Sequence, residues 1–390
     1  MISTGSEEEK AYLVAVSSGE DNGLGDTEGS IAELAQLTSS AGASVVGSLI
    51  QHLPSPSKVF YIGKGKVEDL RLQRDETGYN LVIFDDELTP SQQYNLEEAL
   101  GVRVIDRVTL ILDVFARHAR TSEGKLQIEL AQYKYLLPRL AGRWSHLERL
   151  GGGIGTRGPG ESQLESDRRL IKQKVQRLEK KLEDIRKHRS LYYERRRKAG
   201  IPIVSLVGYT NAGKSTLFNA LSEAGVLVAD KLFATLDPTT RRVALPDGKS
   251  ILLTDTVGFI KKLPPAIISA FRATLEELDE ADLFIHVVDL SAVNASEQFQ
   301  VVENILCELG LADKPRITAL NKVDLLTGSL NMGRDDLTLE PLLPCPDGKT
   351  VLVSARKGWG IRELIDTIAR VISGANIEGR EGCLGNKECS

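Results

Sequence analysis

The chain has 390 residues, enough for two or three domains, and its 41% hydrophobic and 26% charged residues are the balance of a globular protein with proper cores. Four cysteines without C-x-x-C or zinc-ligand spacing exclude a disulfide scaffold and a zinc finger, and no apolar run approaches the ~20 residues of a membrane span. The net charge of −5 does not by itself predict a nucleic-acid partner, and the acidic start MISTGSEEEK lacks the basic and apolar regions of a signal peptide, so a cytoplasmic location is expected.

Residues 1–10 read as a disordered lead. From 11 to 106 strand and helix signals alternate: apolar 11–16, helical spacing at 30–41, strand-like 43–51, helical 64–76, then the buried run Leu81-Val82-Ile83-Phe84. A helix over 90–100 with Thr89 as N-cap and a fourth strand at 102–105 complete the series. Such alternation predicts a small parallel α/β domain, and no catalytic constellation is visible in it. Gly63-Lys64-Gly65-Lys66 fits either a phosphate contact or a turn with solvated lysines, and the turn is the simpler reading.

Residues 107–198 read as a long antiparallel helical hairpin. Helical spacing over 107–140 carries Leu110, Val114, Ala131 and Tyr135, with Gly124 as a kink and no proline before Pro138. A glycine-rich tip loop at 141–160 holds six glycines between Gly151 and Gly160, which regular structure does not accommodate. The second helix, from about 161 to 198, spaces Ile171, Val175, Leu178, Leu182, Ile185, Arg189 and Tyr192 as an a/d seam, so it should pack on the first. From 165 to 198 there are 14 Lys/Arg against 6 Asp/Glu, a net of +8, which leaves −13 for the remainder of the chain. A rod of this kind is either a solvated helix face or a surface for a phosphate backbone. Arg143, Trp144, Arg157 and the closing run Arg195-Arg196-Arg197-Lys198 are the RNA-binding candidates, because a guanidinium or an indole stacks on splayed bases.

Residues 201–373 carry strand signals at 203–207, 242–245, 251–254, 283–288, 317–320 and 351–353 with helical stretches between most of them, which predicts a doubly wound, mostly parallel sheet. Residues 374–390 are polar and glycine-rich and read as a flexible tail. The first strand runs into Gly208-Tyr209-Thr210-Asn211-Ala212-Gly213-Lys214-Ser215-Thr216, a Walker A loop in the strand–turn–helix context that the motif requires. Its backbone N–H groups form a nest for phosphate oxygens, Lys214 reaches the β- and γ-phosphates, and the Ser215 hydroxyl suits Mg²⁺.

Four further stretches follow in the order of a GTPase. Phe233-Ala234-Thr235-Leu236-Asp237 supplies a threonine as second Mg²⁺ ligand, with Thr235 preferred over Thr239 and Thr240. Asp255-Thr256-Val257-Gly258 closes a strand, so that Asp255 holds Mg²⁺ through water and the Gly258 N–H senses the γ-phosphate. Asn321-Lys322-Val323-Asp324 reads guanine: the Asp324 carboxylate accepts from N1–H and N2–H₂, Lys322 covers the base, and Asn321 bridges to the Walker loop. Adenine offers neither donor and would leave that carboxylate unpaired, which is costly. Ser354-Ala355-Arg356 places the Ala355 N–H at guanine O6. The position after the switch glycine is Phe259, which cannot orient a catalytic water, so slow hydrolysis raised by a partner is expected. Lys214, Thr235 and Gly258 are then the catalytic candidates, with Asn211 as a K⁺ ligand near the phosphates or, more plainly, as a hydrogen-bonding residue of the loop.

The combination of 151–165, Asp167-Arg168-Arg169, the Walker loop and Phe233–Asp237, together with 63–68 and 123–140, resembles the HflX family of translation-factor-related GTPases over about residues 11–372. The resemblance implies a GTP- and GDP-binding factor that associates with the large (50S) ribosomal subunit and its rRNA and splits stalled or idle ribosomes, with the hairpin's glycine loop near the peptidyl-transferase region. It also implies Mg²⁺ at Ser215 and Thr235 and guanine reading by Asn321, Lys322 and Asp324. Many members similar to this one carry a small C-terminal domain where this sequence has a short tail. A GTP-gated RNA-binding scaffold in ribosome assembly is the alternative; in either case the chain is expected to be monomeric and not inserted in a membrane.

Overall fold

The computed structural model describes residues 9–17, 24–150, 159–198, 200–222, 232–233, 238–262, 278–330 and 349–381. The chain divides near Asp184 into two compact units. In the first, β1 (Lys10–Ser17), β2 (Ser44–His52), β3 (Leu81–Phe84) and β4 (Arg103–Asp106) make a parallel sheet in the order β2-β1-β3-β4. The central strands β1 and β3 are buried along nearly their whole length, which is why they read as unbroken apolar runs rather than alternating ones. Helices α1 (Leu24–Ser40), α2 (Lys64–Thr77) and α3 (Pro90–Leu100) connect the strands, and α4 (Arg107–His118) follows β4. Helix α3 starts where the sequence signals it, with a Thr89/Gln92 capping box and Pro90 in the first turn, and ends on Gly101 in the left-handed conformation. Gly63-Lys64-Gly65-Lys66 is the start of a helix and not a free turn: Gly63 caps α2, its N–H donates to Gln51 Oε1 (2.9 Å), and Lys66 pairs with Asp69 along the helix (2.8 Å).

The carboxyl ends of this sheet are closed by charge. Arg107 is 2% exposed and meets Asp85 Oδ1 at 2.7 Å and Glu33, while Ser30 Oγ donates to Asp85 Oδ2 at 2.7 Å. Asp106 caps α4 through the Thr109 N–H (2.9 Å) and accepts from Tyr135 and Arg139 of the next helix.

The helical region differs from expectation in three ways. There is no single helix over 107–140: α4 ends at His118 and α5 (Ser122–Leu150) begins anew. The break falls at 119–121 instead of at Gly124, because Ala119 turns to an extended backbone and Thr121 Oγ1 takes the Gly124 N–H (3.0 Å) as an N-cap does. With Val108, Leu110, Ile111, Val114 and Phe115 buried, α4 belongs to the N-terminal α/β layer. Finally, 141–150 is helical despite Pro138, and α6 (Pro159–Lys198) starts at 159, so the tip is shorter than 141–160 and its glycines 151–158 lie outside the described residues. The seam is present: Ile171, Val175, Leu178, Leu182 and Ile185 are shielded while the positions between them are exposed. Lys134 pairs with Glu179 at 2.8 Å and Lys174 donates to Tyr133 at 3.0 Å, so α6 lies beside α5 at this level.

The second unit has a six-stranded sheet, β10-β9-β8-β5-β7-β6, built from β5 (Ile203–Gly208), β6 (Thr239–Ala244), β7 (Ser250–Asp255), β8 (Leu283–Asp289), β9 (Arg316–Asn321) and β10 (Thr350–Leu352). Only the β6–β7 pair is antiparallel. Described helices are α7 (Lys214–Ser222), α8 (Ala295–Glu308), α9 (Val323–Leu330) and α10 (Ile361–Glu381). The last runs to Glu381, so the tail expected from 374 is helical at its start. Leaving β5, the chain builds β7 on one side and β8 on the other, and that switch point opens a crevice at the carboxyl ends of the strands.

Candidate functional site

Strand β5 delivers the chain to the crevice and α7 carries it away, so the Walker loop 208–213 wraps the switch point. Gly213 has φ +92°, and a Cβ there would lie 2.3 Å from Asn321 Nδ2, so only glycine fits. Asn321 is 2% exposed and spans the crevice: its Nδ2 donates to Ala212 O (2.9 Å) and its Oδ1 accepts the Ala355 N–H (3.0 Å). One side chain therefore bridges to the Walker loop, as its motif predicts, and also reaches the Ser354-Ala355-Arg356 loop.

Lys214 is 6% exposed and turns back on its own loop, donating to Tyr209 O at 2.7 Å and Gly208 O at 3.1 Å. Burial pushes its ammonium down to about 8, with the charge of Asp255 opposing. Ser215 Oγ donates to Asp255 Oδ2 at 2.6 Å, which brings together two hard oxygen donors of the kind Mg²⁺ takes. Thr256 is anchored by its hydroxyl to Leu206 O at 2.5 Å. Beyond it Gly258 lies so close that a Cβ would stand 2.9 Å from Lys214 Nζ. Phe259 is buried and joins the Walker loop through its backbone: the Thr210 N–H donates to Phe259 O (2.7 Å) and the Phe259 N–H to Gly208 O (3.1 Å). The Tyr209 hydroxyl accepts the Lys261 N–H at 2.9 Å, and Thr210 Oγ1 accepts the Phe233 N–H at 3.2 Å. Asn211 is exposed at the loop's apex with φ +61°.

On the base side, Ser354 Oγ donates to Asp324 Oδ1 at 2.7 Å and takes the Lys357 N–H at 3.1 Å, which aims the carboxylate. Val323 is buried, Lys322 has φ +65°, and Arg356 is exposed. The structure thus brings Gly208–Thr216, Asp255–Gly258, Asn321–Asp324 and Ser354–Arg356 to the carboxyl ends of one sheet. Ala234, Thr235, Leu236 and Asp237 lie outside the described residues. Thr239 and Thr240 are strand residues of β6: Thr239 pairs in register with Asp255, and Thr240 Oγ1 meets Thr254 Oγ1 at 3.0 Å.

The sequence has matches to three family models: "GTP-binding GTPase N-terminal" over 28–116, "GTP-binding GTPase Middle Region" over 118–196, and "50S ribosome-binding GTPase" over 203–322. It is 48% identical over 364 residues to a GTPase HflX of Caldanaerobacter subterraneus subsp. tengcongensis, covering 93% of this chain and 81% of that one. It is 42% identical over 367 residues to GTPase HflX of Escherichia coli, covering 94% and 83%. The chain belongs to the HflX family of GTPases. A solved GTP-binding protein of Sulfolobus solfataricus in complex with GDP is 28% identical, with a TM-score of 0.45 over 94% of this chain and 99% of that one.

Within this HflX chain two site features escaped the motifs. Lys322 Nζ pairs with Asp289 Oδ2 at 2.7 Å; the available signal was a lone carboxylate ending the apolar strand 283–288. His286, 1% exposed, stacks on Phe299 (4.6 Å, 12°) and meets Glu303 Oε1 at 3.2 Å, with Arg316 on the same carboxylate. Burial lowers its pKa; Glu303 opposes, while Arg316 and Lys214 add to the lowering. Of the RNA-binding candidates, Arg143 and Trp144 fall on α5 and Arg195, Arg196, Arg197 and Lys198 on α6, but their side chains, like all of Arg157, lie outside the described residues.

Proposed function

We propose that this GTPase binds the large ribosomal subunit through its basic helical hairpin, in the cytoplasm and as a monomer, and couples GTP hydrolysis to splitting stalled or idle ribosomes. The observation that carries the reading is α6. Its apolar seam is shielded, and the outward positions Arg169, Lys172, Arg177, Lys180, Lys181 and Lys187 are exposed, a cationic face with no apolar purpose. Among the described residues no helix is long and apolar enough to cross a membrane.

In the nucleotide site Lys214 leaves its two loop carbonyls for the β- and γ-phosphates. Ser215, directly, and Asp255, through water, would hold Mg²⁺, which would supply positive charge against the transferred phosphoryl group. Thr235 completes the metal's protein ligands, a choice favoured because Thr239 and Thr240 are engaged in β6. The Gly258 N–H faces the γ-phosphate, and Asn321, Lys322 and Asp324 read the base with the Ala355 N–H at O6. Since Phe259 is buried and cannot orient water, the exposed Asn211 is the residue that would hold a K⁺, which would supply positive charge beside the phosphates.

Co-sedimentation with purified ribosomal subunits tests the reading. Binding to large subunits with a GTP analogue and release with GDP is expected; no binding in either state refutes it. Splitting that ignores the nucleotide favours the scaffold alternative. Glutamates at Arg195, Arg196, Arg197 and Lys198 should weaken ribosome binding and flatten its salt dependence with GTP affinity unchanged. Equal hydrolysis rates in KCl and NaCl dispose of the K⁺ role.

A further inference from the structure

One ion pair ties Lys322 of the guanine-reading segment to Asp289, a residue that belongs to none of the nucleotide motifs. Asp289 is the last residue of β8, in register with Asn321 of β9, and the Leu290 N–H donates to Asn321 O at 3.0 Å, so the two strand ends are tied. Its Oδ1 accepts both the Ser291 N–H (3.0 Å) and the Ser291 hydroxyl (2.6 Å). That turn fixes the carboxylate and leaves Oδ2 facing Lys322 Nζ at 2.7 Å. Both side chains are largely shielded, 15% exposed for Asp289 and 25% for Lys322. A lysine ammonium is strongly hydrated and rides on a four-carbon stem of many rotamers, so ordering that stem at the moment of binding opposes binding. Lys322 also stands at φ +65°, where its backbone aims the stem in a direction that ordinary residues seldom take.

We propose that Asp289 is a positioning residue for guanine-nucleotide binding: it pins the Lys322 ammonium beforehand, so that the aliphatic stem already lies where it covers the base. The charge of Lys322 is satisfied on the β8 side and the apolar stem is what the base meets. The inference rests on the reading of Asn321-Lys322-Val323-Asp324 as the guanine-binding segment.

The test is dissociation of a fluorescent GDP from the full chain, with steady-state hydrolysis alongside. Asp289→Asn keeps an acceptor for the Ser291 turn and removes the charge. It should speed dissociation about fivefold and raise KM for GTP in proportion at unchanged kcat, the size of one ordinary net hydrogen bond. Lys322→Met keeps an apolar stem without the ammonium, and adding Asp289→Asn to it should change nothing more. Asp289→Glu, which keeps the charge, should restore part of the slow dissociation. A wild-type dissociation rate in Asp289→Asn overturns the proposal. So does the same fivefold loss in the Lys322→Met background, which would place the effect in the Ser291 turn alone. Failure of the underlying reading is a separate result: Lys322→Ala would then leave GDP affinity untouched.

Discussion

Each unit has a parallel or mostly parallel sheet whose strands end in a cluster of buried charge, and the two clusters are built to opposite ends. In the first unit Arg107 at the end of β4 is held by Asp85, Glu33 and Ser30, all of them fixed side chains from α1 and the end of β3. In the second unit Lys214 rests on carbonyls of its own loop and Ser215 on Asp255. A carbonyl is a weaker partner for an ammonium than a carboxylate, so phosphate can displace it, and a hydroxyl on a carboxylate is readily traded for a shared metal. The same position in the same kind of sheet is a brace in one case and a loaded site in the other. The partner chemistry decides which.

Breaking the brace should have the largest effect. Arg107→Ala leaves Asp85 and Glu33 buried without their cation, and should cost the first unit about 3–5 kcal/mol by denaturant unfolding. GTP affinity should not change. A triple variant with Arg107→Met, Asp85→Leu and Glu33→Met should recover most of the loss, since apolar groups of similar volume replace buried ion pairs at little cost. If GTP affinity falls in Arg107→Ala, the brace is not merely structural. Lys214→Met should do the reverse. GTP affinity, read by equilibrium binding, should drop about 100-fold, or about 3 kcal/mol, as a desolvated charge contact is lost. The melting temperature should hold or rise, because burial already disfavours that ammonium in the folded chain. A clear loss of stability would mean that Lys214 is itself a brace.

What the sequence disclosed divides along the same line. The Walker loop, Asp255–Gly258, Asn321–Asp324 and Ser354–Arg356 could be read because each is a short contiguous stretch after a strand, so one local pattern carries both position and chemistry. Most of the ten described strands were legible for a similar reason, their apolar runs standing apart, whereas β6 starts at Thr239, ahead of the expected 242, because its first residues are polar. The Arg107 brace was not, since α1, β3 and α4 bring its members together across more than 70 residues of sequence. Asp289 and Lys322 meet only because β8 and β9 are neighbours. The end of α4 was hidden because helical periodicity runs on through 119–121, and what stops the helix is a cap made by Thr121 that looks like any surface threonine.

A third change sharpens the comparison within the site. Asp324→Asn keeps the shape of the group that Ser354 aims but loses the double acceptor. Preference for GTP over ATP should fall about tenfold, or about 1.4 kcal/mol, in competition binding. An unchanged preference would remove Asp324 from base reading.

The smallest effect concerns a buried group that is neither brace nor ligand. His286 lies under α8, facing Glu303 of that helix and Arg316 of β9, with the charge of Lys214 also felt. Burial holds its folded pKa below the ordinary value near 6.5, so around that pH the unfolded chain binds more protons than the folded one. Stability from the neutral ring is therefore complete above about pH 6.5 and declines as pH falls below it, at no more than about 1.4 kcal/mol per pH unit for a single proton. Denaturant midpoints of the second unit should accordingly drop between pH 7 and pH 5.5. His286→Phe keeps the stack on Phe299 and leaves Glu303 to Arg316, so that acid slope should flatten. If the slope survives the substitution, the titrating group lies elsewhere; if it steepens, the ring was charged in the fold and His286 would rank with Arg107 as a brace.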